Sequence, residues 1–183
     1  MNKKDLESAK NWIISNQSSD GAIYWDEKGK CDAWDHCECL IALAIFEEWE
    51  AFDKGIDWVL SNINSEGLIY SEFNFNKPSK DFFEAHHAAY IFLPLLQRYL
   101  IDGKKEYLKK ISNQLRTIYG GMKSFKDNDG YFYWAKNTEG YADNSLITAS
   151  CSVELSRRAY KYISEVIGST FSDNDDFLNR EML

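Results

Sequence analysis

Trp12-Ile-Ile-Ser-Asn-Gln-Ser-Ser-Asp-Gly-Ala-Ile-Tyr24 returns later in the chain as Trp58-Val-Leu-Ser-Asn-Ile-Asn-Ser-Glu-Gly-Leu-Ile-Tyr70. Trp, Ser, Asn, Ser, Gly, Ile and Tyr fall in register, and an acid precedes the glycine both times. The offset is constant, Trp12 to Trp58 and Gly21 to Gly67. It lies within the roughly 20–50 residues that mark a repeated supersecondary unit. Asp127-Asn-Asp-Gly130-Tyr-Phe-Tyr-Trp134 is a weaker echo.

The segments around the repeat read as helices of two kinds. Residues 3–16 are amphipathic, with Leu6, Ala9, Trp12 and Ile13 on one side and Asn2 as N-cap. Ala33 to Phe46 is apolar all round after its first turn, with Asp32 as N-cap. Trp49 to Asn62 is amphipathic again. Lys80 to Ile101 has an apolar middle and a kink expected at Pro94. Lys104 to Tyr119 is amphipathic and ends at Gly120-Gly121. Asp143 or Asn144 caps a sixth helix that runs to Ile167 and closes at Gly168.

Amphipathic helices thus alternate with apolar ones. Short connections follow the apolar helices. Long connections, rich in glycine and aromatic residues, precede them. Two concentric layers satisfy this order, with apolar helices inside and amphipathic ones outside. The expected fold is all-α, with αα-hairpin repeats in two layers forming half of a toroid of about six helices. The helical domain spans 1–168, and an acidic flexible tail spans 169–183. The long loops then share one rim with the N-termini of the inner helices, the place where function concentrates on a rigid scaffold.

Composition narrows the partners. A net charge of −8 opposes nucleic acid or an anionic membrane as the main ligand. No apolar run approaches the roughly 20 residues of a membrane span, and the charged start Met1-Asn-Lys-Lys-Asp-Leu-Glu7 lacks the core of a signal peptide. Cys31, Cys37, Cys39 and Cys151 then read as reduced thiols of a cytoplasmic protein.

Several runs resemble a known superfamily. Trp12-Ile-x-x-x-Gln17-x-x-Asp20-Gly21 resembles the glutamine–tryptophan repeat of terpene cyclases and protein prenyltransferases. Asp32-Ala-Trp-Asp-His-Cys-Glu38, and later Thr148-Ala-Ser-Cys-Ser152, resemble inner-helix starts of bacterial prenyltransferase-like α/α toroids. Six-hairpin glycosidases use turns similar to Gln-x-x-Asp-Gly. The resemblance implies a ring of about twelve helices, of which this chain matches the N-terminal half. An open half-ring would expose the flanks of its first and last inner helices and favour a homodimer that closes the ring.

The candidate chemistry lies at the rim. Asp35, His36 and Glu38 open the first inner helix, where one carboxyl could raise the pKa of the other. Capping and dipole complementarity explain the same acids without any function. Asp81 and Glu84, with His86 and His87, open the next inner helix, and a packed histidine is the plain alternative there. Trp25, Trp34, Tyr133 and Trp134, with Thr148, are candidate substrate contacts. Filling of helix ends by loop aromatics is the alternative.

No metal or other cofactor is expected, because Cys37 and Cys39 lie on different helix faces and no Cys-x-x-Cys pair occurs. Asp173-Asn-Asp-Asp176 fits the acid motif of class II terpene cyclases but sits in the polar tail. Three functions follow: a prenyltransferase- or terpene-cyclase-like protein for an isoprenoid; a carbohydrate-binding or glycoside-processing module with two rim carboxylates; and a non-catalytic binding or assembly module.

Overall fold

The structure, a computed structural model, describes residues 3–127 and 132–169. The expected N-cap Asn2, the centre of the Asp127–Trp134 echo, the tail beyond Ser169 and its Asp173–Asp176 motif lie outside these residues. The helices are α1 (Lys3–Ser15), α2 (Ala33–Ile45), α3 (Trp49–Ser61), α4 (Phe92–Asp102), α5 (Glu106–Lys110), α6 (Ser112–Lys123) and α7 (Ile147–Ile167). Very short strands join them: β1 (Lys30–Cys31), β2 (Phe73–Asn74), β3 (Lys77–Pro78), β4 (Phe83–Glu84), β5 (Ala135–Asn137) and β6 (Gly140–Tyr141). The fold is therefore helical with two small antiparallel sheets rather than strictly all-α.

The sheets show how the loops assemble. One has the order β1-β2-β3 and joins the first long loop to the second. The other has the order β4-β5-β6 and joins the second to the third. All three long loops meet at one rim, where α2, α4 and α7 begin. Behind it α2 packs on α4, and α4 on α7. The core lies between these inner helices and the outer ones, with Leu40, Phe52, Phe92, Leu95, Leu115 and Phe125 fully buried. Each such side chain contributes about 1.5–3 kcal/mol of burial.

The repeat is a docking device. Gly21 has φ +104, and a Cβ there would collide with the Lys54 carbonyl on α3. Gln17 Nε2 clamps the same turn by donating to the carbonyls of Gly21 (3.1 Å) and Ala51 (2.8 Å). In the second copy Gly67, at φ +82, presses against the Thr117 carbonyl of α6. Each glycine turn thus seats its outer helix against the next outer helix, and only a residue without Cβ permits the approach.

Five expectations are corrected. Residues 80–88 are not helical. The Phe82 carbonyl accepts from Ser71 N–H, and Ala85 N–H donates to the Trp134 carbonyl, so tertiary pairing claims a backbone that local propensity leaves to a helix. A 3-10 turn, Ala89–Ile91, leads into α4. Pro94 falls in the first turn of α4, a position proline tolerates, rather than in mid-helix.

The fifth helix bends at Ile111 into α5 and α6, and it runs through Gly120-Gly121 to Lys123. Gly121 serves packing instead, since a Cβ there would strike the carbonyls of Glu66 and Gly67. Helix α7 starts at Ile147, behind a Leu146 that provides no side-chain cap, so neither Asp143 nor Asn144 caps it. Finally, α2 is not buried all round, because Ile45 is 60% exposed.

Candidate functional site

The α2 mouth is built first. Asp32 is the N-cap, and its Oδ1 accepts from Asp35 N–H at 2.8 Å. Burial, opposed by that bond, pushes its carboxyl up to about 6. Asp35 is exposed, and its carboxyl is raised by burial and by neighbouring Glu38. Glu38, also exposed, accepts from the Tyr90 hydroxyl at 2.6 Å.

His36 is fully engaged. Its Nδ1 accepts from Ile23 N–H (3.2 Å), so Nε2 carries the proton and donates to the Gly55 carbonyl (3.0 Å). Burial holds it neutral, down to about 4. A ring with both nitrogens tied to backbone is a structural clamp, and it has no atom left for a substrate. In this geometry the ring nitrogens expected to serve a substrate are engaged by Ile23 and Gly55.

The α4 mouth differs. Asp81 is exposed, but Glu84 on β4 is largely covered, with 18% of its side chain exposed. Burial, helped by the Asp32 charge, pushes its carboxyl up to about 7. His87 Nε2 stands 3.4 Å and His86 Nε2 4.0 Å from Glu84 Oε2. Both rings are buried and kept neutral by burial, His86 down to about 4. Neither nitrogen of His86 has a hydrogen-bond partner, and His87 Nδ1 has none either. Trp34 presents its edge to His86, with ring centroids 4.8 Å apart.

Glu84, His86 and His87 offer donor atoms within 4.8 Å of one another, the one group among the described residues that approaches a metal-ligand geometry. Two neutral imidazoles beside a carboxyl are a donor set that can hold either a shared proton or a divalent cation. The cysteines offer no alternative. Cys31 and Cys37 are buried with thiols pushed up by desolvation, and Cys39 is raised to about 11.

A groove of about 440 Å³ lies beside β4 under the β5–β6 hairpin. Phe82, Trp134, Lys136, Asn137, Glu139 and Tyr141 line it. Glu84 itself does not, but Ala135, its partner across the strands, does. Trp134 meets Phe82 edge-on at 5.9 Å. Tyr133 stacks on Tyr141 at 5.0 Å behind the groove. Trp25 and Thr148 stand apart: the Lys30 ammonium lies 4.0 Å over the Trp25 ring, and Thr148 is exposed in the first turn of α7. Sequence reasoning missed Phe82, Lys136 and Asn137. The signal for the last two was the turn Asn137-Thr-Glu-Gly140, which marks a hairpin.

Comparison with known proteins shows which folds this architecture resembles. No protein-family model matches the chain. Over 156 residues it is 21% identical to the MMP endo-(1,4)-3-O-methyl-alpha-D-mannosidase of Mycolicibacterium hassiacum, covering 85% of this chain and 44% of that protein. Among solved structures it is similar to an alpha-amylase of Clostridium perfringens, with TM-score 0.63, 12% identity, and coverage of 86% of this chain and 49% of that one. It is also similar to the family 8 endoglucanase Cel10 of Klebsiella pneumoniae, with TM-score 0.53, 18% identity, and coverage of 68% and 40%. The chain spans less than half the length of each. These likenesses establish the fold, and they support the six-hairpin glycosidase side of the resemblance rather than its prenyltransferase side. No helix among the described residues is long and apolar enough to cross a membrane.

Proposed function

We propose that the chain is a carbohydrate-processing module of the α/α-toroid type, in which Glu84 supplies a proton to a glycosidic oxygen. The observation that carries this is the place of Glu84. It is a covered carboxyl at an inner-helix mouth, beside an aromatic groove, and it holds its proton to about pH 7. A general acid needs that poise. Trp134 and Tyr141 offer ring faces to a pyranose, while Asn137 and Lys136 offer donors to its hydroxyls. Asp35, exposed at the adjoining mouth, is the choice for the second carboxylate that glycoside hydrolysis uses. A polar-edged groove of this kind does not suit an isoprenoid, which needs a deep apolar cavity.

The test is hydrolysis of a panel of α- and β-linked gluco- and manno-oligosaccharides, followed by release of reducing ends. Glu84→Gln is expected to lower the rate about 10²–10⁴-fold without lowering the melting temperature. If no sugar is cleaved and none shifts the melting temperature, the reading fails. A second reading, a sugar-binding module without catalysis, is favoured by the same groove. It is distinguished by a ligand-induced shift that occurs without cleavage and survives in Glu84→Gln.

A further inference from the structure

Five of the seven buried side-chain atoms without a hydrogen-bond partner among the described residues gather at the α4 mouth. They are both nitrogens of His86, Nδ1 of His87, Nε1 of Trp34 and Oγ of Ser71. Trp34 meets His86 edge-on, and the Ser71 backbone interacts with His87. His86 and His87 are each 3% exposed. Burial keeps both rings neutral, so each has one nitrogen with a free lone pair. Glu84 adds a carboxyl, and donor atoms of the three residues lie within 4.8 Å of one another.

We infer that Glu84, His86 and His87 form a binding site for one divalent ion of the zinc type, which takes the place of the Glu84 proton. Ligands about 2.0–2.2 Å from one tetrahedral ion stand about 3.3–3.6 Å apart. His87 Nε2 and Glu84 Oε2, at 3.4 Å, already meet that spacing. His86 Nε2, at 4.0 Å from the same oxygen, has to close by about half an ångström. No hydrogen bond holds its ring back. Two imidazoles and a carboxylate suit zinc, whereas calcium and magnesium take oxygen ligands. The set contains no cysteine, so the lack of a Cys-x-x-Cys pair does not bear on it. Three protein ligands leave the fourth position to water, and the part-exposed Glu84 gives the ion a way in. Asp32 directs a negative charge toward Glu84, and Lys80 a positive one. When Glu84 is protonated, binding breaks its O–H bond and releases the proton to water, while the neutral imidazoles lose none. On the reading of Glu84 as the acid, the zinc-loaded chain has no proton to give and is inactive.

Equilibrium dialysis of the chelator-treated full chain against zinc reads the site without any sugar. One ion per chain is expected, with a higher melting temperature in its presence. His86→Ala, His87→Ala and Glu84→Gln should each weaken binding at least about 100-fold, since losing even an outer partner of a metal ligand costs about 10–100-fold. Cys151→Ser, at the exposed thiol, should leave binding unchanged. X-ray absorption on the unaltered chain, which depends on no variant folding, should show nitrogen and oxygen at about 2.0–2.2 Å and no sulfur at about 2.3 Å. No uptake of zinc, sulfur around the ion, or full binding in a folded His86→Ala overturns the inference. Sugar cleavage in chelator tests the Glu84 reading separately. Cleavage without zinc uptake sinks the metal site alone, and uptake without cleavage sinks the acid alone. Where both occur, zinc should abolish cleavage, and cleavage that persists in the loaded chain overturns the displacement of the proton.

Discussion

Two mouths of the same ring carry the same vocabulary, an acid beside a histidine, and use it in opposite ways. At α2, His36 is spent on backbone: it joins the Ile23 amide to the Gly55 carbonyl and holds the first glycine turn against α3. At α4, His86 and His87 are as deeply buried, yet His86 has no hydrogen-bond partner at either nitrogen and both rings face Glu84. Buried polar atoms left unpaired are costly. Our proposal accordingly assigns chemistry to the second mouth and architecture to the first.

The largest expected effect tests the first half of that contrast. His36→Ala leaves a buried amide and a buried carbonyl without partners and opens a cavity beside Trp58. It should cost about 3 kcal/mol, measured by urea unfolding, whereas His86→Ala, which opens a cavity but strands no backbone partner, should cost about 1 kcal/mol less. The pH dependence follows from the depressed pKa of His36. The unfolded chain protonates near 6.5 while the folded one resists to about 4. Stability from this site is thus full at neutral pH and is lost as pH falls through that window. Equal losses for the two histidines would erase the distinction.

Glu84 should behave with the opposite sign. Its folded pKa is raised, from 4.5 to about 7. The unfolded chain releases its proton from about pH 4.5 upward while the folded chain keeps it to about 7. The site therefore favours folding at acid pH and loses that contribution as pH rises through the window. Glu84→Gln removes the penalty and should stabilise the protein at pH 8 by about 1–2 kcal/mol, with little change at pH 4. A destabilising Gln at pH 8 would mean that the carboxylate is held by partners and is not poised as an acid.

Trp134→Ala probes the groove alone. Removing one stacking face should weaken oligosaccharide binding about tenfold, or about 1.4 kcal/mol, by calorimetry. Trp25→Ala should leave affinity unchanged, because its ring is already covered by Lys30.

How much of this was legible follows from which signals are local. Helices α1, α2 and α3 were readable to within a residue or so because their periodicity and caps lie inside the segment. The Asp32 cap is the clearest case. The rim sheets were not, since strands of two or three residues leave no alternation to see. Phe82-Phe-Glu-Ala-His-His87 contains good helix formers, and only pairing with residues far along the chain makes it extended. The candidate acids were visible, but their ranking was not. Nothing near His36 in sequence reveals that backbone groups 13 and 19 residues away close on its ring.

Asp32 connects the two mouths and gives the smallest and most discriminating expectation. It caps α2 through Asp35 N–H, and its charge is the second cause, after burial, of the raised pKa of Glu84. Asn caps about as well as Asp, so Asp32→Asn keeps the first role and removes the second. Near neutral pH the change should stabilise by about 1 kcal/mol, because the carboxyl that burial raises to about 6 no longer has to ionise. Glu84 would then give up its proton more readily. An acid catalyst works only while protonated, so the alkaline fall of the pH–rate profile should move to lower pH. Asp32 itself ionises at about 6, so the two profiles should coincide well below that pH and separate above it. A profile that does not move would leave burial as the sole cause of Glu84's poise and would reduce Asp32 to a cap belonging to the α2 mouth alone.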